Sequence, residues 1–161
     1  MSAERNNSDL NIQFKSLYTI YYSLIFGMIS FFVVILFINE GRAIVLNDEL
    51  DFVFTIVVPV FGLIMMFSSR MIYNQLISKS YSNKDLPQKI AIYKSSKIIT
   101  WVLVEIACLL SLVALMLTSN YLYFVVYIFL LGYFYLLRPS KESLVKDLRL
   151  NSKESDLIRG K

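Results

Sequence analysis

With 57% hydrophobic and 17% charged positions over 161 residues, the chain is more apolar than a soluble domain, which carries roughly 25% charged and 45–50% apolar residues. The net charge is +4, there is no histidine, and Cys108 is the single cysteine; an intrachain disulfide and zinc, haem or iron–sulfur ligation are excluded, and no cofactor is expected. The apolar surplus falls in four blocks of at least 17 residues, which reads as one all-α membrane domain whose surplus Lys and Arg face anionic lipid rather than nucleic acid.

Residues 1–16 are polar and read as a flexible N-terminus, disordered through about Asn11. The first span covers 17–38. It is longer than the roughly 7–15-residue core of a signal peptide and runs into Asn39-Glu40-Gly41-Arg42 without a small-residue cleavage site, so it reads as a retained helix. Tyr18, Tyr21 and Tyr22 open it, where amphipathic rings favour the membrane interface. Ser23, Gly27 and Ser30 follow at one-turn spacing, and small residues so placed let another helix approach. The first loop is acidic, with Glu40, Asp48, Glu49 and Asp51 against Arg42, and carries a short apolar patch, Ala43-Ile44-Val45-Leu46.

The second span covers 52–69. Thr55, Pro59, Gly62, Met66, Ser69 and Tyr73 are spaced so that they share one helix face. Pro59 frees the carbonyl of Thr55 and is expected to bend the helix, giving a packing face with a kink ahead of a gate or ion site. Arg70 sits where its head snorkels to the interface. The second loop is basic: Lys79, Lys84, Lys89, Lys94 and Lys97 join Arg70 against Asp85. Ser82 to Asp85 reads as a turn and Leu86-Pro87 as a helix start, with Ile90, Tyr93 and Lys97 at helical spacing behind it. The third helix then begins near Pro87 and is about 30 residues, or about 45 Å, long.

The third span covers 98–117 and the fourth 121–137; the Thr118-Ser119-Asn120 connection forces them into an antiparallel hairpin. Tyr121, Tyr123 and Phe124 stand at one end of the fourth span and Tyr133, Phe134 and Tyr135 at the other, as two interfacial belts. Gly132 offers a close-approach point. The tail, 138–161, carries Leu144, Val145, Leu148, Leu157 and Ile158 at amphipathic spacing, with Asn151 and Glu154 in capping-box register. It reads as a surface-lying or partner-binding segment. The fold class is therefore four transmembrane helices in two antiparallel hairpins, 17–137, between two cytoplasmic ends.

Orientation follows from cations. The N-terminus has two, the first loop one, the second loop six, the third none and the tail seven, so one side holds 15 of 16. The positive-inside rule places both termini and the second loop in the cytoplasm of a bacterial inner membrane.

Glu105 stands near the middle of the third span, about 10 Å from its basic end. A charge at that depth costs on the order of 2.5–3.5 kcal/mol on insertion scales. Trp101, Cys108 and Leu112 share its face; Tyr22, Ser23, Tyr127 and Tyr133 fall at comparable depth as hydrogen-bond partners, and no cation does. Two readings follow: a polar anchor between helices, or a protonatable site in a small proton-coupled transporter. Catalysis would need a cluster of acids or a nucleophile–base pair at one depth, so no catalytic residue is expected. Asp48, Glu49 and Asp51 read as a solvated acidic loop.

Rotor-ring proteolipids share the helix number, but need glycine-rich helices and a carboxylate in an even-numbered span; small multidrug-resistance transporters need a glutamate in the first span. Neither pattern is met. Leu86-Pro87, Lys89, Tyr93, Glu105 and the Arg138-Pro139-Ser140-Lys141…Asp147-Leu148-Arg149-Leu150 tail resemble uncharacterised small four-helix inner-membrane proteins of Bacteroidota-type bacteria. The resemblance implies the fold and the membrane, and no activity. The expected role is a non-enzymatic interaction or accessory subunit, binding anionic lipid at its basic face and a membrane protein or a second copy within the bilayer.

Overall fold

The computed structural model describes residues 2–39, 48–81, 85–150 and 155, with side chains from 14–38, 51–81, 85–150 and 155. The apolar patch 43–46, residues 82–84 of the predicted turn, the side chains of Asp48 and Glu49, and the Asn151–Glu154 and Leu157–Ile158 features lie outside that set. Among the described residues five helices follow one another: α1 (Ser2–Asn39), α2 (Asp48–Ser78), α3 (Leu86–Thr118), α4 (Tyr121–Leu136) and α5 (Lys141–Asp147).

The helix ends carry local signals. Pro87 lies in the first turn of α3, where its missing N–H costs nothing. α3 stops where Ser119 turns left-handed, at φ 53°, and returns its N–H to the Leu115 carbonyl at 2.9 Å. Asn120 caps α4 by accepting the Leu122 N–H at 3.0 Å, and Ser140 caps α5 by accepting the Ser143 N–H at 3.0 Å. The backbone of α1 is helical from Ser2. No proline or glycine precedes Gly27 there, and a helix once nucleated gains about one hydrogen bond per added residue. α2 is continuous through Pro59.

α3 is the central helix, packed against α1, α2 and α4. Its Trp101, Val104, Cys108 and Leu112 are wholly buried. α3 and α4, joined by a three-residue turn, pack against each other, and α1 and α2 take their main packing from α3. A long connection does not force its two helices together; a three-residue one does. α1 meets α4 through rings, Tyr21 on Phe134 at 5.3 Å and Phe32 on Phe124 and Tyr127 at 5.4 Å each.

Polar groups fasten both ends. At one end, the carbonyls where α4 stops receive the Tyr21 hydroxyl (3.2 Å to Phe134 and to Tyr135) and the Trp101 indole N–H (3.1 Å to Leu137). At the other, Asp51 of α2 accepts the Asn120 amide at 3.1 Å and the Tyr123 hydroxyl at 3.0 Å. The first end also holds Lys15, Arg70, Lys94, Lys97 and Arg138, so it is the basic end; Asp51 marks the acidic one.

Gly62 is the close approach on α2: a Cβ there would stand 3.3 Å from Leu130 of α4. Nothing lies within 4 Å of the corresponding point at Gly27 or Gly132. Gly62→Leu is expected to destabilise by about 1–3 kcal/mol through overpacking, whereas Gly27→Leu leaves the unfolding temperature of the detergent-purified protein unchanged. Equal effects at the two sites would refute the packing.

Around this core the surface is apolar. Phe26 and Phe37 are each 73% exposed and Phe52 and Phe67 each 69%, and such rings recur along the outer faces of α1, α2 and α4, far beyond the patch size of soluble monomers. Segments Phe14–Ile38, Asp51–Ser78 and Leu86–Thr118 are long and apolar enough to cross a membrane, at mean hydropathies of 2.4, 2.2 and 2.5. α4, 16 residues and about 24 Å, reaches that standard only together with α5, across a bend of 74°.

Candidate functional site

Among the described residues, two places hold polar groups without a hydrogen-bond or ion-pair partner. The first is Glu105. It lies on α3 between the wholly buried Trp101, Val104 and Cys108 and the outward Val102 (39% exposed) and Ile106 (45%), and is itself partly exposed. No described residue gives it a hydrogen bond or ion pair. The groups expected beside it are engaged or turned elsewhere. The Tyr127 hydroxyl donates to the Met28 carbonyl at 3.3 Å and that of Tyr133 to the Met66 carbonyl at 3.5 Å. Tyr22 is 60% exposed, its ring against Tyr21 at 5.5 Å, and Ser23 is exposed on the same helix. Pro59, Gly62 and Gly132 line grooves beside α4 that are walled by aliphatic and aromatic side chains.

The second place is a chamber at the basic end, with a volume of about 330 Å³. Its polar wall comes from Arg70, Tyr73 and Asn74 on α2, Lys97 and Thr100 on α3, and Tyr133 on α4. Leu136 and Leu137, where α4 stops, form an apolar side, and Asp147, the last residue of α5, closes it. Lys97 is only 7% exposed. Its ammonium lies 4.6 Å from the Tyr73 ring centre and 5.5 Å from that of Tyr93, an arrangement worth ~0.5–2 kcal/mol. No described residue hydrogen-bonds or ion-pairs with it; Asp147 attracts it from a greater distance.

Asp147 reaches the chamber because α5 docks. Leu144 (0% exposed) and Leu148 (2%) bury its apolar side against the bundle. The Asp147 carboxylate accepts the Tyr73 hydroxyl and, at 2.8 Å, that of Ser143; Tyr81 donates to its backbone carbonyl at 3.3 Å. Arg149 stacks 4.6 Å over the Tyr81 ring. The carboxylate is thus held by neutral hydroxyls, and the lysine by ring faces.

The sequence contained part of this. Tyr73 closes the shared face of α2, and Ile90, Tyr93 and Lys97 show helical spacing, which is the signal that Lys97 faces a neighbour rather than solvent. Asp147 carried none, since its position depends on where α5 folds back. No family model, curated protein or solved structure matches the chain. The class that the described residues define is an all-α bundle in which three helices, or four if the bent α4–α5 pair is one span, are long and apolar enough to span a membrane.

Proposed function

We propose that the chain is a multi-pass protein of the bacterial inner membrane, with its basic end cytoplasmic, and that it is a non-enzymatic interaction or accessory subunit whose intramembrane contact centres on Glu105. The observation that carries this reading is the carboxyl of Glu105, partly exposed and without a hydrogen-bond partner among the described residues. In hydrocarbon such a group is expensive to leave alone, and a donor from a membrane-protein partner or a second copy relieves it. Val102 and Ile106 on the same side offer an apolar rim for helix contact by close packing.

A photo-crosslinking residue in place of Val102 or Ile106, installed in cells, tests it. The expected result is a discrete adduct at both positions that falls several-fold when Glu105→Leu is added. Adduct-free membranes at both positions would overturn the reading. The alternative, a proton-coupled transporter using Glu105, draws on the same unpaired carboxyl; it predicts that Glu105→Gln folds normally and loses flux driven by a pH gradient.

A further inference from the structure

We propose that the basic-end chamber binds a singly charged phosphate ester: the phosphodiester of an anionic lipid headgroup, or its soluble counterpart. The lipid source rests on the membrane reading above; the chemistry of the chamber does not depend on Glu105 or its partner.

The argument starts from Lys97. Its ammonium has three N–H donors, Lys97 is 7% exposed, and among the described residues the ammonium meets the faces of Tyr73 and Tyr93. A buried cation without a hydrogen-bonding counterpart is costly, and here it faces a cavity of about 330 Å³, within the roughly 300–1,000 Å³ typical of small-ligand sites. Arg70 stands on the same wall with a guanidinium fork that matches phosphate oxygens. Among the described residues lining the chamber Asp147 is the one acid, and its carboxylate is already held by Tyr73 and Ser143 rather than by the lysine. These two cations against one carboxylate leave one positive charge, which one phosphodiester neutralises. A dianion or a zwitterionic headgroup fits that count less well. Asn74 adds an amide donor, while Leu136 and Leu137 provide an apolar side for the carbon stem of the ester. That side is where α4 ends, the level at which headgroups meet the bundle.

The protein carries its own reporter. Trp101 is the single tryptophan, and its indole is bonded to the carbonyl of Leu137 in the chamber wall. The full chain, extracted in mild detergent with phosphatidylcholine, is titrated with phosphatidylglycerol, and in separate arms with the soluble phosphodiesters glycerophosphoglycerol and dimethyl phosphate, while Trp101 fluorescence is followed. A saturable response to phosphatidylglycerol alone assigns the lipid source. The same response to glycerophosphoglycerol or dimethyl phosphate assigns a soluble ester. In either case Lys97→Met weakens binding at least tenfold, and Asp147→Asn, which adds one net positive charge, tightens it several-fold. Opposite signs for these two variants are what a merely structural role would not produce. Unreactive Cys108, wholly buried in the native chain, confirms that each variant is folded. No saturable response in any arm, an equal response to phosphatidylcholine, or both variants shifting affinity the same way overturns the proposal. Alkaline carbonate extraction is read separately: release from the membrane sinks the membrane reading, whereas retention without binding sinks only the chamber.

Discussion

Trp101→Ala is expected to lower the stability of the bundle by about 3–5 kcal/mol, the range for truncating a buried large aromatic. Trp101 is wholly buried on the central helix, its ring centre is 5.1 Å from that of Tyr21 on α1, and its N–H caps the Leu137 carbonyl beyond α4. One side chain therefore joins three helices and satisfies a carbonyl at a helix stop. Trp101→Phe keeps a ring and loses the hydrogen bond, so its loss is nearer about 1 kcal/mol. Cys108 supplies the measurement: as the single, buried thiol it becomes reactive to a maleimide dye only on unfolding, and the transition temperature should fall in the order wild type, Phe, Ala. An alanine variant indistinguishable from wild type would show that the three-helix junction is not where stability resides.

Leu144→Ala combined with Leu148→Ala is expected to release α5 while leaving the bundle folded. Each buried Leu→Ala change costs about 2–5 kcal/mol. A seven-residue helix has little stability of its own, since isolated helices under ~12–15 residues are marginal in water. The loss is therefore taken locally, as undocking. Hydrogen exchange reads it out: amides of α5 lose protection, those of α3 around Val104 to Leu112 keep theirs, and Cys108 stays unreactive. Protection retained throughout α5 would mean that the Tyr73–Asp147 and Tyr81–Asp147 contacts hold it without its leucines.

Helix positions were legible because their signals are local. The apolar blocks, Pro87 at the start of α3, and the Thr118–Asn120 turn each act within a few residues, and each reappears in the coordinates. The face running from Thr55 to Tyr73 was legible as well: Gly62 meets Leu130 and Tyr73 meets Asp147. Depth-matching around Glu105 was weaker. Counting residues gives height along a helix but not the rotation of its neighbours, so Tyr127 and Tyr133, at comparable depth, turn to the backbone of α1 and α2 instead. Gly27 and Gly132 show the same limit, small residues whose outer side no described helix covers.

By itself the sequence determined the all-α class and the approximate apolar cores of several helices long enough to cross a membrane, because hydropathy and breakers are sums over neighbouring residues. Only the tertiary structure decided that α3 is central, that Glu105 has no partner within the described chain, and that Lys97 and Asp147 share a chamber although they stand 50 positions apart. Those facts depend on which helix covers which face, and between helices apolar on most sides close packing and a few polar contacts make that choice.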